Sequence, residues 1–190
     1  MKKIALQIST VLASIVLITA CSKSDSSPSP SPSPTGTNPT VIPTQTVTQK
    51  PVALSGASVM AVLAGSSVTN TGATVVTGNL GLSPGTSVGG FPPGILNGTL
   101  HINDTMANNA KLDLTAAYND AAGRTSTDIV TLYGNIGGLT LTPGLYKSTS
   151  SLSISSGDLT FDAKGDSNAT FIIQIASTLT TTSGRKVILE

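Results

Sequence analysis

Residues 139–184 read LTLTPGLYKSTSSLSISSGDLTFDAKGDSNATFIIQIASTLTTTSG. Within this stretch Leu139-Thr140-Leu141, Leu159-Thr160-Phe161 and Leu179-Thr180-Thr181 stand 20 residues apart. Gly144, Gly165 and Gly184 follow them at offsets of five or six, and Leu152-Ser153-Ile154-Ser155 and Phe171-Ile172-Ile173-Gln174-Ile175 supply strands between. A fixed period with glycine at the corners is the trace that a β-solenoid leaves in a sequence. Each period is one coil, and successive coils stack as parallel strands about 4.7–4.9 Å apart. An antiparallel sandwich, with strands every 8–12 residues, is the alternative. In the solenoid reading Leu139, Leu159 and Leu179 stack inside. Thr140, Thr160 and Thr180 then form an outward ladder, with Thr142, Asp162 and Thr182 as the neighbouring column.

Upstream, one segment changes period. From Asn103 to Ala122, Ala107, Ala110, Leu114, Ala117, Tyr118 and Ala121 recur at three and four residues, which marks one helical face. Asn103 or Asp104 can cap its start, and Gly123 with Arg124 suits its end. A face made mostly of alanine lies close against a flat partner, so the helix reads as a brace along β-structure. Before it, Val59-Met60-Ala61-Val62-Leu63-Ala64 and Thr74-Val75-Val76-Thr77 read as strands. Ser83-Pro84-Gly85 and Phe91-Pro92-Pro93-Gly94 read as turns. The domain is therefore expected over residues 52–190.

The first 51 residues have another character. Lys2 and Lys3 precede a charge-free apolar run at residues 4–17, then Ile18-Thr19-Ala20-Cys21, the layout of an export signal over residues 1–20. The run is short for a spanning helix, which needs about 20 apolar residues. Cys21, the sole cysteine, directly follows the small-residue cleavage site and resembles the bacterial lipobox, in which that cysteine becomes lipid-modified. Residues 21–51 then read as lipid-anchored cysteine plus linker, because proline alternates with serine over residues 27–34 and neither helix nor sheet tolerates that. Such a chain extends as polyproline II at about 3.1 Å per residue. Together these place the domain at the cell envelope, anchored through Cys21 and facing outward, or alternatively secreted.

Composition narrows the function. Of 190 residues, 10% are charged and 3% aromatic, with no tryptophan, while 28 threonines and 25 serines carry hydroxyls. Mean hydropathy is still +0.23, too high for a chain that is disordered throughout. A net charge of +1 gives no footprint for nucleic acid, which needs clustered Lys and Arg. One histidine and one cysteine cannot build a His/Cys metal site or a nucleophilic triad, and His101 reads as structural at the helix entrance. Asp158, Asp162 and Asp166 are spaced by four, but the glycine and terminal glutamate of a calcium loop are absent, so they read as solvated turn carboxylates. The expectation is a non-enzyme with no cofactor, no metal and no protein partner. A Thr ladder offers a grid of methyl and hydroxyl groups about 6.6–6.8 Å apart along a strand, a surface that orders water. Threonine is also simply favoured in strands.

Several blocks resemble the microbial ice-binding family. They are VLAGSSVTNTG (62–72) with TVVTGNLGLSPG (74–85), LTAAYNDAAGR (114–124), LTLTPGLY (139–146), and ATFIIQI (169–175) leading into STLT (177–180). They occur in order across residues 52–190. The resemblance implies a mainly β fold, an irregular right-handed β-helix with one long α-helix alongside. It implies a flat Thr- and Ala-rich face that binds an ice crystal surface, with no enzyme activity. Carried over by position, Thr69, Thr71, Thr74 and Thr77 contribute to that face. Family domains continue with several strands past Arg185-Lys186-Val187-Ile188-Leu189-Glu190, so this domain is expected to be incomplete at its C-terminus. The alternative function is a generic cell-surface adhesin or carbohydrate-binding solenoid, which would favour exposed aromatics in a groove.

Overall fold

The computed structural model describes residues 36–190; the export signal, Cys21 and the Ser-Pro run of residues 27–34 lie outside the described residues. The chain divides into two units. Among the described residues, one spans Val52–Gly123, and the other gathers 36–51 with Arg124–Glu190. We call them the helix unit and the coil unit.

In the helix unit short β-branched runs make the rungs, and Gly and Pro make the corners. β1 (Met60–Ala64), β2 (Ser67–Thr69) and β3 (Val75–Thr77) form one coil. β4 (Asn79–Leu82), β5 (Ser87–Gly89) and β6 (Ile95–Asn97) form the next, and β7 (Leu100–Ile102) begins a third. Pairing is parallel throughout, in sheets β1-β4-β7, β2-β5 and β3-β6. Ser67 faces Ser87, Val75 faces Ile95 and Leu80 faces Leu100, so the 20-residue step also governs this region. The turns expected at residues 83–85 and 91–94 fall at coil corners. Gly90 shows why a corner needs glycine: its φ is +83°, and a Cβ there would lie 1.7 Å from the Asn70 carbonyl oxygen of the coil before.

Helix α1 (Thr105–Gly123) follows. Asp104 caps it, its Oδ1 accepting the Ala107 N–H at 2.8 Å, while Oδ2 meets His101 Nδ1 at 2.7 Å. Ala107, Ala110, Ala117 and Ala121 are buried as the periodicity requires. Leu114 is half-buried, and Tyr118, expected on the same face, is exposed. The alanines let α1 close onto β1, β4 and β7 and onto a 3-10 turn at Ser55–Val59. Asp113 Oδ2 ties that turn down by accepting the Gly56 N–H at 2.8 Å.

The coil unit holds three further coils. They are β8 (Val130–Thr131), β9 (Gly134–Asn135) and β10 (Thr140–Leu141), then β11 (Gly144–Ser148), β12 (Leu152–Ile154) and β13 (Leu159–Phe161), then β14 (Phe171–Ile175), β15 (Leu179–Thr181) and β16 (Val187–Leu189). They stack in parallel as β14-β11-β8, β15-β12-β9 and β10-β13-β16, which excludes the antiparallel sandwich. Inside lie Leu132, Ile136, Leu152 and Ile154 with the edge-on pair Phe161 and Phe171, whose ring centroids are 4.9 Å apart. Tyr146 is fully buried. Its hydroxyl donates to the Thr142 carbonyl at 2.7 Å and accepts the Thr142 N–H at 3.0 Å, closing the turn from β10 to β11.

Two expectations change here. Thr140 does stack on Thr160, but Thr160 next meets Ile188, and Thr180 pairs with Ser153. The step to the last coil is 27 or 28 residues (Leu152↔Leu179, Leu159↔Val187). The cause is the long corner at residues 162–170 between β13 and β14, where two residues suffice between β10 and β11. Leu179 therefore stacks on Leu152 rather than Leu159, and it is half-buried.

The second change concerns the linker assigned to residues 21–51. Its residues 38–47 pack on the coil unit. Ile42 joins the hydrophobic core. Asn38 Nδ2 donates to the carbonyls of Tyr133 and Asn135, each at 2.7 Å, and its Oδ1 accepts the Tyr133 N–H at 2.7 Å. Gln45 Oε1 accepts the Leu145 N–H at 2.8 Å.

Candidate functional site

Strand alternation decides which side chains leave the solenoid. In β2, β3, β5 and β6 the central residue turns inward and its neighbours are exposed. Thr69 thus stands outward on β2 beside Gly89, and Thr77 outward on β3 beside Asn97. These are two different sheets. Thr71 and Thr74 are exposed on the corner between them. Val75 and Ile95, paired in register next to Thr77, are each 55% exposed. The four threonines before the helix therefore span two walls and a corner rather than one row.

In the coil unit the outward rows of the β10-β13-β16 wall carry Thr140 and Thr160 in a charged setting. Asp158 and Asp162 flank Thr160, with Arg185 3.8 Å from Asp158 and Lys164 Nζ 2.6 Å from Asp162. The hydrogen bonds from Lys164, side chain first and then backbone N–H, hold the Asp162 carboxyl below its ordinary range. Lys186 and Glu190 continue the charge along β16.

The β9-β12-β15 wall differs in kind. Leu152 and Ile154 point into the core, so Ser151, Ser153 and Ser155 point out. Beside them run Thr178, Thr180 and Thr182, all exposed. Ser153 and Thr180 are register partners. Thr178 Oγ1 lies 2.9 Å from Ser151 Oγ, and Thr182 Oγ1 lies 3.3 Å from the Ser155 carbonyl. Ser153 and Ser155 hydroxyls are 3.3 Å apart. The result is a double row of six hydroxyl-bearing residues with no charged side chain among them, whose backbone positions repeat about 6.6–6.8 Å along each strand and about 4.7–4.9 Å across, while two pairs of their hydroxyls approach to 2.9 and 3.3 Å. Each hydroxyl keeps donor or acceptor capacity beyond these bonds.

Asn135 holds the end of this wall. Its Oδ1 accepts the Ser155 N–H at 2.8 Å and the Ser156 N–H at 3.2 Å, and its Nδ2 donates to the Gly137 and Ser156 carbonyls, each at 3.1 Å. Asn70 serves the same purpose after β2, donating to the Gly72 and Gly90 carbonyls at 2.6 and 2.9 Å. Of the seven threonines singled out from sequence, only Thr180 falls on the uncharged hydroxyl wall of the coil unit. Thr182 was expected in the outward column beside the ladder, whereas Ser151, Ser153, Ser155 and Thr178 were not among the expected face residues. Their alternation in SLSIS and TLTTT is the visible signal.

Comparison with known proteins agrees with this architecture. The model of the family described as ice-binding-like matches residues 62–190. An ice-binding protein of Nostoc sp. (strain HG1) is 48% identical over 136 residues, covering 71% of this chain and 49% of the relative. Ice-binding protein K3-B1 of Typhula ishikariensis is 35% identical over 159 residues, covering 73% and 64%. The chain thus spans between about half and two-thirds of the length of these relatives. Among solved structures, an ice binding protein from an Antarctic biological consortium superposes with a TM-score of 0.78 at 74% identity, over 80% of this chain and 68% of the other. The Shewanella frigidimarina ice-binding protein_1 domain gives 0.65 at 26% identity, over 75% and 72%.

Proposed function

The chain belongs to the ice-binding-like family, and from that premise we propose that it binds ice through the uncharged hydroxyl wall of β9, β12 and β15. The observation that carries this reading is the double row Ser151-Ser153-Ser155 and Thr178-Thr180-Thr182, held in register by parallel pairing. Ice is a periodic array of water, and a surface docks on it by presenting groups at regular spacing. Hydroxyls hold first-layer waters in place, and the threonine methyls discourage other arrangements of water. A charged side chain would order its own hydration shell against that array. The charge-flanked Thr140 and Thr160 are for this reason the poorer surface.

The test is growth of a single ice crystal below its melting point in the presence of the purified full chain. Thr180→Tyr and Ser153→Tyr, each placing a ring in the middle of the wall, are expected to abolish faceting while thermal unfolding by circular dichroism is unchanged. Thr160→Tyr, on the charged wall, is expected to leave faceting intact. Faceting that survives Thr180→Tyr but fails with Thr69→Tyr or Thr77→Tyr would move the ice face to the helix unit.

A further inference from the structure

We propose that residues 36–51 are a load-transfer strap, which delivers a pull from the upstream chain into the coil unit and bypasses the helix unit. By chain order alone such a pull would reach Val52, the first residue of the helix unit. Residues 36–51 instead group with Arg124–Glu190.

The strap is held at five points. At the first, Asn38 does with its side chain what a neighbouring strand would do with its backbone. In the described residues β9 is paired on one side only, by β12, and the Asn38 amide occupies the Tyr133 N–H and the Tyr133 and Asn135 carbonyls on its other edge. Ile42 is buried in the core and resists sliding. Gln45 takes the Leu145 N–H one residue before the β8–β11 pairing begins at Tyr146 and Val130.

Asp128 is the fourth point. Its Oδ2 accepts the backbone N–H groups of Thr46 and Val47, at 2.5 and 3.0 Å, and the Thr46 hydroxyl at 3.0 Å. The Ser126 hydroxyl donates to Oδ1 at 2.5 Å. These donors, Ser126 first and then Val47, hold the carboxyl well below the usual carboxylate range, so the clasp stays ionised in mild acid. Beyond it, the Arg124 guanidinium grips the Lys50 carbonyl and lies 3.4 Å from that of Pro51. Charge-assisted bonds of this kind are about twice as strong as neutral ones. The strap thus ends where the helix unit begins, and the coil unit that receives the load is the one bearing the hydroxyl wall. The role rests on the reading of the upstream Ser-Pro stretch as a tether, and its test needs no ice.

The experiment is single-molecule pulling of the chain produced without its export signal (residues 1–20), so that Cys21, the sole cysteine, keeps a free thiol for one handle, with the other appended after Glu190. The expected first event is a step of about 55 Å, the extended length of residues 36–51 at roughly 3.3–3.6 Å per residue. Larger steps follow. Asn38→Ala combined with Asp128→Ala should lose that first step and keep the later ones. A trace from the unsubstituted chain that opens directly with about 250 Å, the extended length of residues 52–123, overturns the proposal. So does a double variant that keeps the first step. If the double variant does not fold, the step sizes of the unsubstituted chain decide alone. An unsubstituted chain that shows the first step but leaves ice crystals unfaceted would sink the ice-binding reading and keep the strap.

Discussion

At the scale of single residues, two asparagines that matter to this fold bond to backbone far away in sequence. Asn135 closes the corner after β9 across a coil, and Asn38 reaches residues about a hundred positions on. Such bonds leave no local pattern, which is why the strap reads as linker in the sequence. Its Pro, Thr and Gln content has the look of a spacer, and only Ile42 hints otherwise. Tyr146 is the residue-scale case where a prediction is sharpest. Its ring fills the core, and its hydroxyl both donates to and accepts from Thr142. Tyr146→Phe keeps the ring and strips two buried backbone groups of their partner, a loss of about 1–3 kcal/mol. The urea midpoint should fall with an unchanged slope. A midpoint equal to that of the unsubstituted protein would mean that water replaces the hydroxyl without cost.

At the scale of elements, α1 was legible because alanine recurs at helical spacing and Asp104 precedes it. Tyr118 was misplaced because a three-and-four pattern does not tell the centre of a stripe from its border. The cap makes a pH-dependent prediction. The Asp104 carboxyl is held below its ordinary value, first by the Ala107 N–H and then by His101. A group whose folded pKa is depressed stabilises above its unfolded value, near 3.9, and loses that contribution as pH falls through the folded value. Asp104→Ala should therefore melt at a lower temperature than the unsubstituted protein at pH 7. The difference should shrink as pH falls below the unfolded value and through the folded one, and a difference that stays constant through acid would rule out the carboxylate as the cause. Among the coils, the Thr140–Thr160 pairing was readable because that wall steps by 20, although the same two coils step by 16 at Val130 and Tyr146 and by 18 at Gly134 and Leu152. The Thr180 position was not, because the corner at residues 162–170 broke the count while leaving a chance echo at 20. In the helix unit the same step was present but masked, since Val75 faces Ile95 and Thr69 faces Gly89, and the register holds without repeating the residue.

At the scale of the whole molecule, the solenoid class was written in the sequence by short strands, corner glycines and scarce charge. The choice of wall was not, because it depends on which strands share a sheet. Where the protein resides is a question for the intact chain. We propose attachment to the cell envelope through lipid on Cys21, supported by the apolar run and small residues before it. A single acyl chain binds membranes only marginally, so the proposal requires a lipid of at least two chains on Cys21. Full-length protein is then expected in the membrane fraction of a bacterial host, and Cys21→Ser in the soluble or secreted fraction. Equal partition of the two would exclude lipid attachment at this position.

The long corner between β13 and β14 carries a last consequence, for how relatives are to be aligned. Asp162 and Asp166 fold it locally, accepting the N–H groups of Lys164 and Asn168 at 2.8 Å each, and the rungs on either side keep their register across it. Insertions and deletions in this fold are thus absorbed at corners, whereas a gap inside a rung would turn every inward side chain outward. An alignment that penalises gaps by rung position, rather than uniformly along the chain, would match wall to wall where identity alone matches Thr180 to the wrong column.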